Sequence, residues 1–299
     1  MPGYILRVEK EVPSCRIDIF ITQNIDVIPS RSFAKKLIEF GHVRVNEILP
    51  NPHYRLMPGD EIHIDIPEVF LSPEYTAPED IPLDIFYEDE WLIVINKPSG
   101  MTVHPAKGVH TGTLVNALLY YTRRLSDVNS DIRPGIVHRL DKDTAGLIIV
   151  AKDNITHARL ARQFQRHEVN KRYLAIVEGE VEFDEGLIDA PLGRHKRHHE
   201  KRQVSFDSYS KEAMTYYKVI KRWRAMSLVS LFPKTGRTHQ LRVHMNYIGH
   251  PILGDKKYRR NDHYPSLALL AQSIGFKHPH TNSYIEFSLH FNDFLSIVD

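Results

Sequence analysis

Residues 138–146 read HRLDKDTAG, five charged or titratable side chains in seven positions, set between the apolar runs GIV and LIIVAK. Apolar segments on both sides place His138–Thr144 at the edge of a buried sheet. Ionic groups there are paired or functional, because burying an unpaired charge costs several kcal/mol. Asp141 and Asp143 are the two carboxylates on offer for acid–base or nucleophilic work, and a structural ion-pair turn is the alternative. A second cluster lies in FPKTGRTHQLRVHMNYIGHPILGD, Phe232 to Asp255. KTG reads as a turn and Thr238 as the cap or first-turn residue of a helix. Leu241, Met245 and Ile248 form its apolar stripe, and Gly249 and Pro251 end it. His239, Arg242 and Asn246 share another face near the helix start, where an arginine can pair bidentately with a carboxylate. A third cluster, GRHKRHHEKR at Gly193–Arg202, is basic and holds three histidines. It lacks the spacing of a zinc site and has no cysteine nearby, so a loop that touches phosphates fits it better.

Other chemistries find no support. There is no GxxxxGK[ST] loop and no GxGxxG after a strand, so no nucleotide cofactor is indicated. There is no GxSxG elbow, and the one cysteine, Cys15, has no activating neighbours. His104 in TVHP reads as structural. A lone thiol fits a reducing compartment. With no secretory signal and no apolar run near the ~18 residues of a membrane span, a cytoplasmic protein that does not engage membranes is expected. The 299 residues carry a net charge of +2, so a nucleic-acid partner must be argued from local clusters.

These clusters need elements to hold them. The proline-rich, acidic stretch Pro67–Asp84 reads as a linker between a small unit, residues 14–66, and a larger one, residues 85–299. In the small unit, SRSFAKKLIEFG predicts a helix capped by Ser30 or Ser32 and stopped by Gly41. Phe33, Leu37 and Phe40 form its apolar face, with Ile38 beside them. Arg31, Lys35 and Lys36 lie largely off that face, and the strand VRVN follows with Arg44. In the larger unit WLIVINK predicts a strand that ends at a Pro98–Gly100 turn, GTLVNALLYYTRRL a helix, and ITHARLARQFQRHE a basic helix. KRYLAIVEGEVE predicts a strand with Tyr173, Ala175 and Val177 on one face. Further strands fall at MTYYKVI, MSLVSLF and SYIEFSL. Strands and helices without strict alternation point to an α+β fold.

From Tyr87 onward the chain resembles the RluA-type family of RNA pseudouridine synthases. The resemblance rests on YEDEWLIVINKPSGMTVHP, GIVHRLDKDTAGLIIVAK, KRYLAIVEG, FPKTGRTHQLRVHMNYIGHPILGDKKY and LLAQSIGFKHP, in that order. The small unit resembles the S4-type RNA-binding module, through RIDIF, SRSFAKKLIEFGHVRVN and PGDEI. The resemblance implies a mixed, largely antiparallel sheet flanked by helices, with a small α/β S4-like domain. It implies isomerisation of uridine to pseudouridine in RNA, with no metal or organic cofactor. By resemblance, Asp141 is the catalytic aspartate, attacking the anomeric carbon or taking a proton from the neighbouring ribose carbon. Arg242 is its ionic partner. Tyr173 packs on the target base, with a proton-transfer role open to it, and Leu241 lines the base pocket. Arg139 enters the space that the extracted nucleotide leaves, and His239 joins the substrate contacts. Arg31, Lys35, Lys36 and Arg44 contact RNA in the small unit. Large-subunit ribosomal RNA is the expected substrate, free or in a precursor particle, with transfer RNA as the alternative. A monomer is expected. Two other readings stay open: an RNA glycosidase that lets water finish the reaction, and a non-catalytic ribosome-assembly factor.

Overall fold

A computed structural model describes residues 3–9, 15–25, 27–28, 31–67, 78–105, 109–122, 124–126, 133–195, 197–198, 200–259, 264–290 and 294. The side chains of residues 31–33 and 36 lie outside that description. The described residues form two compact units, the smaller within residues 1–77 and 129–134 and the larger within residues 78–128 and 135–299.

The small unit holds β1 (Gly3–Arg7), α1 (Ile17–Asn24), α2 (Arg31–Glu39), β2 (Val43–Val45) and β3 (Glu61–Asp65). Its antiparallel sheet has the order β1-β3-β2. Alternation in the strands and helical spacing in α1 and α2 bury Ile17, Ile21, Leu37, Ile38, Val43 and Ile62 in one core. Phe40 does not join it. The helix stops at Glu39, Gly41 takes φ +78°, and Phe40 is left 67% exposed. Ala34 and Ile38 are buried on α2 instead. Ser32 falls inside α2 and so cannot cap it; Ser30 lies outside the described residues. In the PGD turn, buried Asp60 accepts from the Met57 amide at 2.8 Å, the Asn46 side chain at 2.8 Å and the Tyr54 hydroxyl at 3.1 Å.

The larger unit holds β4 (Ile85–Glu88), β5 (Leu92–Lys97), α3 (Leu114–Tyr121), β6 (Ala145–Ala151), α4 (Asn154–Gln165), β7 (Asn170–Glu178), β8 (Glu185–Asp189), β9 (Leu192–Arg194), β10 (Arg202–Val204), β11 (Met214–Trp223), β12 (Met226–Pro233), α5 (Gln240–Tyr247), β13 (Leu269–Lys277) and β14 (Tyr284–Ser288). Strands β4-β5-β6-β13-β7-β12-β11-β8 form one sheet, with β14 paired to β13. Every pairing in it is antiparallel except β6 with β13, so the fold is α+β with a mixed, largely antiparallel sheet. β5 and β6 are apolar on both faces because helices or loops cover both, and α4 packs on β6. Of the stretch expected to link the units, residues 78–84 run along the larger one. Glu79 donates its amide to Asn116, and its carboxylate accepts from the Gly112 amide at 3.0 Å.

Gly146 decides how the centre of this sheet closes. Its φ is +113°, and a Cβ there would stand 2.3 Å from the carbonyl oxygen of Ala271 on β13. Only glycine lets β6 and β13 meet, two residues after the charged run ends.

Candidate active site

The charged run leaves the sheet just before β6 and is tied down from several sides. His138 accepts a hydrogen bond from the Ile149 amide at its Nε2, 2.9 Å away, and stacks on Phe164 at 4.6 Å. Burial pushes this imidazole down to about 3, so it is neutral, with its proton on Nδ1. The turn closes through the Thr144 amide, which donates to the Asp141 carbonyl at 3.1 Å.

A second clamp comes from the Lys97–Gly100 turn. Lys97 is fully buried at the end of β5, and its ammonium donates to the carbonyls of Pro98 at 2.7 Å, Met101 at 2.9 Å and Lys142 at 3.1 Å. Ser99 donates to the Asp143 carbonyl at 2.7 Å, and the Gly100 amide donates to that of Lys142 at 2.9 Å. Burial lowers the Lys97 ammonium to about 8, while the charges of Asp143 and then Asp141 pull the other way. In the sequence, Lys97 stands only as the end of the strand WLIVINK. The available signal was a lysine closing an otherwise apolar strand directly before Pro98.

The RTHQLR cluster forms the facing wall. Thr238 is not the helix cap: His239 holds that position in the left-handed region, φ 58°, without a capping side chain. Buried Gln240 does the anchoring. Its carbonyl oxygen accepts from the Thr235 hydroxyl at 2.8 Å and the Arg237 amide at 2.9 Å, and its NH2 donates to Met214 and Thr215, both at 3.0 Å. Every hydrogen-bonding group of that amide is therefore used, which fixes where α5 begins. His244 is likewise held between Thr215 and the Ala190 carbonyl.

Arg242 is 3% exposed and makes its bidentate pair with Asp255, at 2.8 and 2.7 Å. Its third nitrogen, Nη1, lies 3.6 Å from Asp141 Oδ2. The two-pronged partner of the arginine is thus Asp255, and Asp141 is met end-on. Burial works against the charge of Arg242, but the hydrogen bonds and charge of Asp255 outweigh it and raise the pKa. Asp255 stood at the end of the motif, thirteen positions after Arg242, and was not singled out.

The Tyr258 ring lies 5.4 Å from the Arg242 guanidinium carbon. Its hydroxyl accepts from the Arg202 amide at 2.8 Å and meets His239 Nδ1 at 2.8 Å. Burial pushes that phenol up to about 12 and the His239 imidazole down to about 4, so the hydroxyl donates to a neutral ring. Of the basic cluster at 193–202, Gly193 and Arg194 lie on β9 and Arg202 on the paired β10, tied to this tyrosine at Arg202; Lys196 and His199 lie outside the described residues. Among the described residues, no three metal-ligating side chains converge.

These walls enclose a cavity of about 550 Å³. Asp141, Arg139, Tyr173, His239, Leu241 and Arg242 all line it; Asp143 does not. Tyr173 projects from β7, and burial together with the Asp141 charge holds its phenol above the ordinary value. Arg139 is exposed at the cavity wall, and Leu241 is buried. A carboxylate beside a buried cation, an aromatic face and an apolar wall can hold a flat ring and act on the atom joined to it. In the small unit, Lys35 is half-buried on α2 and Arg44 is exposed on β2. Arg31 and Lys36 belong to α2, but their side chains lie outside the described residues.

Residues 91–247 match the model of the RNA pseudouridylate synthase family, and residues 15–62 match the S4 domain. An uncharacterised RNA pseudouridine synthase of Bacillus subtilis is 42% identical over 280 residues, covering 93% of this chain and 91% of that protein. Ribosomal large subunit pseudouridine synthase D of Zymomonas mobilis is 41% identical, covering 96% and 93%. Among solved structures, human RNA pseudouridylate synthase domain containing 1 superposes with a TM-score of 0.59 at 25% identity, over 73% of this chain and 84% of that one. Spanning both its matched domains and nearly the full length of its relatives, this chain belongs to the RNA pseudouridylate synthase family.

Proposed function

We propose that the protein converts specific uridines of large-subunit ribosomal RNA to pseudouridine, with Asp141 as the group that acts on the sugar. The observation that carries the reading is Asp141 in the cavity, 3.6 Å from a guanidinium that is itself held by Asp255. A cation so held fixes the direction of the carboxylate beside it. The glycosidic bond between N1 and C1′ breaks, and its electron pair leaves with the base. The Asp141 carboxylate either caps C1′ or takes the C2′ proton. The uracil turns, C5 bonds to C1′, Asp141 leaves C1′ or, on the other route, returns its proton to C2′, the C5 proton departs and N1 gains one. Atoms are conserved, as an isomerisation requires. Tyr173 packs on the base and Leu241 walls it in. Arg139, exposed at the cavity, fills the gap in the stack. Extracting the nucleotide costs a few kcal/mol, which contacts in the pocket must offset.

The large-subunit substrate is supported by relatives named for it, from Zymomonas mobilis, Nitrosomonas europaea and Vibrio parahaemolyticus, at 39–41% identity. The small unit adds phosphate contacts through α2 and β2, and the site of action is the cytoplasm, where that RNA is made in bacteria. The test is tritium release from C5-labelled uridine in unmodified ribosomal RNA and transfer RNA, with wild type and Asp141→Ala. Release from ribosomal RNA by wild type alone is expected. Free uracil as product would instead mean hydrolysis, and release only from transfer RNA would reassign the substrate.

A further inference from the structure

One cation in the cavity has no role in the chemistry above. Lys171 precedes Tyr173 by two positions on β7, so both project to the same face of the strand, about 7 Å apart. Both line the cavity. Arg172, between them, points the other way and donates to Ser230 at 3.0 Å. Lys171 is largely enclosed, yet its ammonium makes no hydrogen bond or ion pair with any described residue. Asp141 is the one carboxylate among the cavity-lining residues, and Arg242 occupies it. Burial holds the Lys171 ammonium down at about 8, and its charge is felt by His138 at the same end of the pocket. At that end the neutral His138 ring stacks on Phe164.

An enclosed cation without an anion is costly unless an anion arrives. The reaction makes one. When N1–C1′ breaks, the electron pair on N1 spreads to the carbonyl oxygens O2 and O4 of the departing uracil. A base packed on Tyr173, with its N1 edge toward Asp141, carries one carbonyl edge toward the next same-face residue of β7. We infer that Lys171 is a catalytic residue that stabilises the uracil anion during cleavage of the glycosidic bond. Its electrostatic contribution rises as negative charge develops on the base and falls once C5 has bonded to C1′. This rests on the assignment of Asp141 as the group acting at the sugar.

The test compares single-turnover rates of full-length wild type, Lys171→Met, Lys171→Arg and Asp141→Ala on RNA carrying either uridine or 5-fluorouridine at the target position. Loss of the parent nucleoside is read by mass spectrometry after digestion. Fluorine makes the departing base a weaker base that needs less help. Lys171→Met should slow uridine conversion by about 10²–10³-fold with unchanged RNA affinity. The deficit should shrink about tenfold or more on 5-fluorouridine. Lys171→Arg, which keeps the charge, should restore much of the rate. The methionine variant should melt no lower than wild type, since it removes an unmatched buried charge. A bound rate near wild type overturns the proposal. So does an equal deficit on both nucleosides, which marks mere packing, or a loss confined to affinity, which marks a phosphate contact. An arginine variant as slow as the methionine one overturns it as well. If Asp141→Ala keeps its rate, it is the reading of Asp141 that fails.

Discussion

Two arginines, one in each unit, are held in opposite ways. In the larger one, the Arg242 side chain is 3% exposed and its partner Asp255 is 1% exposed, with 2.7 Å between them. In the small one, Arg44 meets Glu47 at 3.8 Å, with side chains 56% and 71% exposed. The first pair fixes an angle: Asp255 takes two nitrogens and leaves the third pointing at Asp141. The second fixes almost nothing, because exposed pairs are worth ~0–1 kcal/mol and are screened by salt. Arg44 can trade its carboxylate for a phosphate at little cost. A site that acts on one atom needs the first arrangement; a surface that follows a polyanion works with the second.

The sharpest way to break this contrast is at its chemical end. Asp141→Asn preserves volume and should lower the single-turnover rate by about 10⁴-fold. A variant within about tenfold of wild type would show that the angle set by Asp255 serves nothing. Next in size is Asp255→Ala. It takes the bidentate partner from buried Arg242 and leaves only the longer contact to Asp141, so urea unfolding should show a loss of about 3–5 kcal/mol. The double variant Arg242→Met with Asp255→Leu should regain most of that stability without regaining activity, which separates the pair's geometric role from any stabilising one.

A smaller effect tests the enclosure of the charged run. His138 sits near 3 in the folded chain, against 6.5 for a free imidazole. Between those values the unfolded chain binds the extra proton, so stability falls as the pH drops from 6.5 toward 3 and is flat above 6.5 for this group. His138→Gln keeps an acceptor for the Ile149 amide and should remove up to ~1.4 kcal/mol per pH unit from that slope. An unchanged acid limb in urea unfolding would mean that the ring is not enclosed. The smallest effect belongs to the exposed side of the contrast. Arg44→Ala should leave stability within ~0.5 kcal/mol and the bound rate unchanged, while the salt dependence of RNA affinity loses about one phosphate's worth of slope. A lowered bound rate at constant affinity would collapse the distinction between the units.

What the sequence made legible followed the range of the interactions. Asp141, Leu241 and Arg242 sit in short runs whose flanking apolar patterns announce a strand edge and a helix, but it is the family resemblance that joins them in one site. Tyr173 was readable from strand alternation, and the sheet's α+β character from the order of elements. The supports were not. Lys97 holds the Lys142 carbonyl across 45 positions, and Gln240 reaches Met214 across 26, which no local pattern encodes. The helix start shows that the arginine can take a carboxylate bidentately, and the resemblance names Asp141, whereas the two-pronged bond goes to Asp255, thirteen positions on. Phe40 fitted the helical spacing and failed only because Gly41 had already turned the chain. Thr238 had the right chemistry for a cap, one residue too early.

The meeting of Gly146 with Ala271 also bears on when in its own synthesis the protein becomes active. β6, which carries the charged run, takes Leu270 and Ala271 as its parallel neighbours, and Leu269 of the same late strand lines the cavity. Chains emerge from the ribosome N-terminus first. The RNA-binding small unit and the Asp141 loop are therefore made well before the strand that completes the pocket. A nascent chain that ends before Leu269 has no finished chamber in which to turn a base, so the site closes only after β13 has been made.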